Sequence, residues 1–186
     1  MSRGLGDVYK RQLYISPLKA LSVDVQRNLQ IPIAEMDLPI LCETRTSDTS
    51  PKKRNRQKAK PPNILLTTPE SVELMLAWPE AKNYFSNLST IIIDEIHSVI
   101  GNKRGDLLSL SITTLRNYAP NASFIGLSAT VADSGQLAKW LAPEPNKVTI
   151  LKPNITKKID IKIYYPTSSE IPFAGHSADY AVADIY

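Results

Sequence analysis

The sequence lacks the features that mark membrane-spanning and disulfide-stabilised proteins. Its 186 residues include one cysteine, Cys42, so no disulfide can form within the chain. The aliphatic runs at 64–66 and 91–93 are only three residues long, whereas a bilayer-spanning helix needs about 20 apolar residues. We therefore expect no membrane span. With no sign of an oxidising compartment, we also expect a cytoplasmic setting.

The composition is that of a globular domain with a small excess of positive charge. Hydrophobic residues make up 42% and charged residues 22% of the chain, and the net charge is +4. Such an excess favours nucleic acid as a partner only where the charges cluster. They do so over 52–60, where six of nine residues are Lys or Arg. This run fits either a solvated helix face or a set of phosphate contacts.

The first twelve residues differ from the rest of the chain. Residues 1–12 contain no apolar stretch, no helix-capping signal and no signal-peptide core after Arg3. The string from Gly4 to Gln12 is similar to adapter sequence at the ends of assembled reads. We therefore expect 1–12 to be a non-native leader, the native sequence to begin near Leu13, and the chain to be a fragment at both ends.

Beyond this leader, strand-like and helix-like segments alternate. Apolar, β-branched segments predict strands at 13–16, 38–43, 63–67, 88–94 and 122–127, with further β-rich segments at 147–151 and 159–164. Helices are predicted to start at Pro17 and to cover the basic run, 69–77, 106–118 and 135–141. This alternation predicts an α/β fold with a doubly wound, mostly parallel sheet. Ligands of such sheets bind beyond the carboxyl ends of the strands.

The strongest chemical signal follows the fourth predicted strand, where Asp94-Glu95-Ile96-His97 stands. In P-loop nucleotide hydrolases, a carboxylate at a strand tip holds Mg²⁺ through its water shell, and a second carboxylate activates the attacking water. Two acidic residues can also simply cap the next helix, and a single histidine is often structural. The motif alone leaves these alternatives open.

Four more motifs follow the other predicted strands. Each offers hydroxyls, a cation or a helix start that could hold a phosphate group, or that could merely cap a helix. In chain order they are Ser16-Pro17-Leu18-Lys19-Ala20-Leu21, Arg45-Thr46-Ser47-Asp48-Thr49, Thr67-Thr68-Pro69-Glu70-Ser71 and Ser128-Ala129-Thr130.

The order of these motifs resembles the first motor domain of a superfamily 2 DExH-box helicase, a RecA-like P-loop domain. Ile96-His97, Lys103-Arg104-Gly105 and the Arg45–Thr49 turn are similar to the Lhr-type branch. Segments 35–39 and 172–178 resemble bacterial ligase-associated DNA-damage-response DEXH-box helicases. The resemblance covers 13–186.

The resemblance implies ATP and Mg²⁺ as cofactors and gives each motif a role. Asp94 would hold Mg²⁺ through water, Glu95 would be the catalytic base, and His97 would couple the ATP site to the opposite motor domain. Ser128, Ala129 and Thr130 would couple hydrolysis to movement along the strand. Contacts to the backbone of a single-stranded DNA tracking strand would come from Lys19, Arg45, Thr46, Thr68, Pro69, Glu70 and Ser71, and further from Lys103 and Arg104.

The chain also departs from the family pattern. Ser47 stands where glycine is usual, and no G-x-x-x-x-G-K-[ST] phosphate loop occurs in the 186 residues. We therefore expect 13–152 to be a partial first RecA-like domain and 153–186 to begin the connection to a second motor domain.

The parent would be an ATP-dependent DNA helicase or translocase in repair, working with a DNA ligase and nuclease system. This chain alone would be inactive. The alternatives are a nucleic-acid-binding module without ATPase activity and a different P-loop enzyme, such as a transporter ATPase subunit.

Overall fold

A five-stranded parallel sheet organises the chain. The computed structural model describes residues 11–129, 134–144 and 147–152. The strands are β1 (Arg11–Ile15), β2 (Cys42–Arg45), β3 (Ile64–Thr67), β4 (Leu88–Ile93) and β5 (Ser123–Gly126). The helices are α1 (Lys19–Glu35), α2 (Pro51–Ala59), α3 (Pro69–Leu76), α4 (Ala81–Phe85), α5 (Lys103–Tyr118) and α6 (Ser134–Leu141). The predicted α/β class with a parallel sheet is confirmed.

The strand order is β2-β3-β1-β4-β5, so β1 lies at the centre of the sheet. It pairs in parallel with β3 on one side and with β4 on the other. Because all neighbouring strands are parallel, their carboxyl ends meet at one edge. We call this edge, with the residues that directly follow each strand, the carboxyl edge.

The hydrophobic core lies between the sheet and the helices α3, α4 and α5. Side chains alternate along a strand, so Leu13 and Ile15 of β1 enter the core while Tyr14 between them does not. The strand side chains Leu65, Ile91 and Ile93 join the same cluster, together with the helix side chains Val72, Met75, Phe85, Leu108, Ile112 and Leu115. Helix α1 contacts β2 and β3 instead.

The basic run forms α2, which confirms the predicted helix, and several of its charges have partners within the protein. Ser50 caps the helix by accepting a hydrogen bond from the backbone N–H of Lys53, 3.4 Å away. Arg56 pairs with Glu43 of β2, and Lys58 lies 3.0 Å from a carboxylate oxygen of Glu80. Arg56 and Lys58 therefore attach α2 to β2 and to the residue that precedes α4.

Some predicted boundaries are wrong. Strand β1 begins at Arg11, two residues before the predicted start, so the end of the predicted leader pairs within the sheet. The guanidinium of Arg11 donates to the carbonyl oxygens of Tyr84 (2.6 Å) and Pro62 (3.3 Å), which fixes this end of the strand. Whether residues 1–12 are native sequence stays a prediction.

The second predicted strand also begins too early, since β2 starts at Cys42 and not at Leu38. Asp37 has a left-handed backbone (φ 47°), and the N–H of Leu38 bonds back to Ile33. Pro39 has no N–H to give to a ladder. These features place a turn at 36–37 and leave 38–41 outside the strand.

Three further segments differ from expectation. The helix α4 was not predicted, and α5 begins at Lys103 because Asn102 caps it earlier than the apolar pattern indicates. Residues 148–151 form no strand, and the apolar side chain of Leu151 is 88% exposed. The β-rich segment 159–164 and the subgroup segment 172–178 lie outside the described residues.

Nothing in the described part of the chain has the length and hydrophobicity of a membrane-spanning helix.

Glu43 provides a test of how the sheet edge is held. Burial raises the pKa of its carboxyl, but hydrogen bonds from Arg56 and Gln57 and the charges of Arg56 and Lys53 outweigh it, so the pKa lies below its ordinary value. A lowered pKa contributes stability above the unfolded-state value, and this contribution is lost as pH falls through the folded-state value.

We therefore expect Glu43→Gln to flatten the loss of unfolding free energy between about pH 5 and pH 3. Urea unfolding at each pH measures it, with the exposed Glu73→Gln as the matched control. Equal pH profiles for the wild type and Glu43→Gln would contradict this account of the edge.

Candidate functional site

Backbone hydrogen bonds continue past the strands and join the motifs at the carboxyl edge. The N–H of Asp94 donates to the carbonyl oxygen of Ile15 at 2.9 Å, and Ser16 donates to Thr67 at 2.9 Å. On the other side, Leu127 donates to Ile93 at 2.8 Å. The residues after β1, β3, β4 and β5 thus lie side by side, as the sequence predicts for a ligand-binding edge.

Asp94 is held by two donors. The phenol of Tyr14 donates to Oδ2 of Asp94 at 2.7 Å, and the backbone N–H of Glu95 donates to Oδ1 at 2.9 Å. Burial and, after it, the hydrogen bond to Asp94 raise the pKa of the Tyr14 phenol, so it stays a donor at neutral pH. The Asp94 carboxylate therefore has a fixed orientation.

Tyr14 is a site residue that the motif analysis missed. It stands inside β1, whereas the predicted motifs follow the strands. The signal available in the sequence was the alternation of Leu13, Tyr14 and Ile15, which puts a hydroxyl-bearing side chain on the face opposite the core.

Glu95 and His97 form a small cluster with Ser128. Glu95 has a left-handed backbone, with φ 47° and ψ 41°, which is uncommon for a residue other than glycine. The Nδ1 atom of His97 lies 3.3 Å from Oε2 of Glu95 and 2.9 Å from Oγ of Ser128. The structure therefore brings together three predicted residues from the ends of β4 and β5.

The helix-cap interpretation of this motif finds no support. Glu95 makes no side-chain capping bond to the short 3₁₀ turn that follows it (Ile96–Ser98). Asn102 caps α5, since its Oδ1 accepts from the N–H of Gly105 at 3.0 Å. Ala129, the neighbour of Ser128, is exposed, and Thr130 lies outside the described residues.

Lys19 lies at the first turn of α1, where its ammonium group is 3.0 Å from Oδ1 of Asp48. Hydrogen bonds from Lys19 and Ser47 lower the pKa of Asp48 below its ordinary value, which keeps this carboxylate charged. The predicted phosphate contact thus has a negatively charged partner within the protein.

Arg45 and Thr46 are partly engaged in the turn that follows β2. The guanidinium of Arg45 donates to the carbonyl oxygen of Arg54 at 3.0 Å and lies 4.7 Å from the ring centroid of Trp78. Thr46 is 7% exposed, and its hydroxyl accepts from the N–H of Asp48 at 3.3 Å. Ser47, which stands where the family pattern has glycine, is exposed and accepts at its carbonyl from Arg54.

The start of α3 carries the other predicted contacts. The hydroxyl of Thr68 donates to that of Ser71 at 3.2 Å, and both residues and Pro69 are buried. Glu70 is exposed, and its carboxylate oxygen lies 2.5 Å from Nε of Arg104 on α5. Arg104 also donates to the carbonyl oxygen of Pro17 at 2.8 Å.

Lys103 differs from Arg104. It is exposed at the first residue of α5, and none of the ion pairs found among the described residues includes it.

The described residues include no cluster of three or more potential metal ligands. A site for Mg²⁺ does not need one, because this ion keeps several waters and binds through one or two carboxylates together with substrate phosphates. Each Asp94 oxygen accepts one hydrogen bond and has two lone pairs. Asp94 therefore fits a magnesium ion held through water.

Comparison with known proteins adds a family and several relatives. The family model described as "DEAD/DEAH box helicase" matches residues 5–137. The Lhr helicase/uracil glycosylase of Escherichia coli (strain K12) is 40% identical over 170 residues, which are 86% of this chain and 11% of the relative. The ATP-dependent helicase Lhr-Core of Methanothermobacter thermautotrophicus is 36% identical over 186 residues, covering 93% of this chain and 22% of the relative.

A solved structure agrees. The Mycobacterium smegmatis helicase Lhr, bound to ssDNA and AMP-PNP, is 41% identical and superposes with a TM-score of 0.64 over 71% of this chain and 18% of that one. These findings confirm the resemblance to Lhr-type helicases and the RecA-like fold. The chain spans 11% and 22% of the two curated relatives.

The hydrogen bond from Tyr14 to Asp94 yields a stability prediction. We expect Tyr14→Phe to lower the unfolding free energy by about 1.5 kcal/mol, because a hydrogen bond to a charged group is lost. Urea denaturation followed by circular dichroism measures the change. The control is Tyr118→Phe, which changes a half-buried tyrosine at the last residue of α5. If Tyr14→Phe lowered the unfolding free energy no more than Tyr118→Phe does, the hydrogen bond to Asp94 would have no stabilising role.

Proposed function

The chain belongs to the DEAD/DEAH box helicase family, and from that premise we propose that it is part of the first motor domain of an ATP-dependent helicase or translocase acting on DNA. The observation that carries the proposal is the meeting of the motifs after β1, β3, β4 and β5 at one sheet edge, joined by backbone hydrogen bonds. AMP-PNP and ssDNA bound to the Mycobacterium smegmatis relative support a nucleotide and a nucleic acid as its ligands.

On the nucleotide side, Asp94 and Glu95 carry the chemistry. Asp94 would hold Mg²⁺, which neutralises charge on the transferred phosphate when bound. Glu95 orients the attacking water and takes its proton. His97 links Glu95 to Ser128, so a movement of the segment after β5 would reach the catalytic base. We propose that Ser128, Ala129 and Thr130 couple hydrolysis to strand movement through this contact.

On the nucleic-acid side, we propose that the backbone of single-stranded DNA runs along the starts of α1, α3 and α5 and the turn after β2. Helix N-termini, hydroxyls and cations bind phosphates without reading bases. The proposed contacts are Lys19, Arg45, Thr46, Thr68, Pro69, Ser71 and Lys103. Glu70 and Arg104, which bind each other, are treated separately below.

We further propose a cytoplasmic role in DNA repair for the parent protein, in company with a DNA ligase and nuclease system. This step rests on the similarity of segments 35–39 and 172–178 to ligase-associated helicases. The 186 residues hold no G-x-x-x-x-G-K-[ST] run, and ATP phosphates need such a loop for binding in this class. We propose that the chain alone does not turn over ATP and that 153–186 leads toward a second motor domain.

A nucleic-acid-binding module without ATPase activity is the alternative that the missing phosphate loop favours. It predicts binding to DNA that ATP leaves unchanged.

ATP hydrolysis by the full-length protein distinguishes the helicase motor from the binding module without ATPase activity. We expect Glu95→Gln to lower DNA-stimulated ATP turnover at least about 100-fold, as the loss of a general base does, while AMP-PNP binding persists. The matched control is Glu73→Gln, an exposed glutamate on α3. Turnover by Glu95→Gln at the rate of the wild type would exclude the assigned role, and turnover by the 186-residue chain alone would exclude the need for a phosphate loop.

The salt dependence of DNA binding tests the proposed nucleic-acid contacts. Each phosphate contact to a single strand contributes about 0.7 to the slope of log affinity against log salt. We therefore expect Lys103→Gln in the full-length protein to reduce the slope by about 0.7. The control is Lys82→Gln, on the exposed surface of α4, which directly precedes β4 and so lies at the opposite edge. Identical slopes for all three proteins would remove Lys103 from the interface.

A further inference from the structure

Resting on the proposed function, we propose that Arg104 is a positioning residue that couples the nucleotide side of the carboxyl edge to its nucleic-acid side. It does so without touching DNA. Its guanidinium binds two other segments at once, the Glu70 carboxylate on α3 and the carbonyl oxygen of Pro17 between β1 and α1. The Arg104 side chain therefore joins the segments that follow β1, β3 and β4.

The start of α5, which carries Arg104, is tied to the loop that follows Glu95. Ser98 donates its N–H to the carbonyl oxygen of Glu95 at 2.8 Å. Asn102 then joins this loop to the helix, since Nδ2 donates to the carbonyl oxygen of Ser98 at 2.9 Å while Oδ1 accepts from Gly105. A chain of hydrogen bonds thus runs from the proposed catalytic base to the first turn of α5.

Close packing makes this connection stiff. A Cβ atom on Gly105 would lie 1.9 Å from the carbonyl oxygen of Val99, so only glycine allows the helix to approach the loop so closely. The first turn of α5 cannot shift without moving the loop, because protein interiors have few voids to absorb a displacement.

The other two partners of Arg104 lie among the proposed DNA contacts. Glu70 stands in the first turn of α3, between the pair of hydroxyl residues Thr68 and Ser71. Pro17 is buried and precedes Lys19 by two residues. If DNA binding displaced the start of α1 or of α3, the guanidinium of Arg104 would therefore move with it.

The chemistry of this contact favours positioning over phosphate binding. The hydrogen bond from Arg104 lowers the pKa of Glu70, which keeps the carboxylate charged and its partner occupied. A phosphate would have to displace this carboxylate from a guanidinium that also stays bonded to the carbonyl oxygen of Pro17. The planar guanidinium directs two donors toward two separate acceptors, a geometry that lysine cannot reproduce.

The test uses the full-length protein and compares Arg104→Gln, Arg104→Lys, Glu70→Gln and the double variant Arg104→Gln/Glu70→Gln. We expect each single variant to lower the ratio of DNA-stimulated to basal ATP turnover about tenfold, within the usual range of coupling between sites. The double variant should be no worse than the single ones, and Arg104→Lys should not restore the ratio. Lys82→Gln, outside both proposed sites, is the control.

Two further readouts separate positioning from direct contact and from a failed function. The salt slope of DNA binding should be unchanged in Arg104→Gln, whereas a slope lowered by about 0.7 would identify a phosphate contact and overturn the proposal. Hydrogen exchange should rise in Arg104→Gln at the amides of 95–99 and 70–72 together, and a rise at only one segment would also overturn the proposal. Glu70→Gln changes an exposed residue and keeps the test available if Arg104→Gln does not fold.

A wild-type protein whose ATP turnover does not respond to DNA would contradict the proposed function itself. A normal response in the wild type that all the Arg104 and Glu70 variants retain would contradict only the role of Arg104.

Discussion

The arrangement of the site depends on one constraint, the hydrogen bonding of backbone beyond the ends of the parallel strands. Because β1 is central, the N–H of Asp94 can bond to Ile15 while Ser16 bonds to Thr67. These bonds fix where each chain segment leaves the sheet, and the segments that leave it carry the family's motifs. A side chain such as Asp94 therefore starts from a backbone position that the sheet has already determined.

A second feature is that two cations at the carboxyl edge have carboxylate partners inside the protein. Lys19 pairs with Asp48, and Arg104 pairs with Glu70. Both pairs are exposed to solvent, where an ion pair contributes little to stability. A phosphate group can therefore replace Asp48 as the partner of Lys19 at little cost in free energy. Arg104 differs because it also donates to the carbonyl oxygen of buried Pro17, which would lose this donor if the guanidinium turned toward a phosphate.

The sequence allowed the strands and the strand-end motifs to be predicted, because both depend on local pattern. The aliphatic run of β4 followed by Asp94 and Glu95 is an example. Contacts that depend on strand register could not be predicted. Tyr14 contacts Asp94, 80 positions further along the chain, only because β1 pairs with β4. For the same reason the two partners of Arg104, Glu70 and the carbonyl oxygen of Pro17, could not be foreseen.

The backbone at Glu95 shows how the fold holds a functional side chain in a costly conformation. A left-handed residue other than glycine costs about 1–3 kcal/mol and persists only where the surroundings enforce it. The N–H of Glu95 donates to Oδ1 of Asp94 at 2.9 Å. The peptide group that follows is also held, since the carbonyl oxygen of Glu95 accepts from Ser98 at 2.8 Å and the N–H of Ile96 donates to Leu127 at 3.0 Å. The turn sets the Glu95 carboxylate beside His97, which in turn bonds to Ser128. The segments after β4 and β5 thus contact each other through His97 and Ser128, and the left-handed turn at Glu95 adds the proposed catalytic carboxylate to this contact.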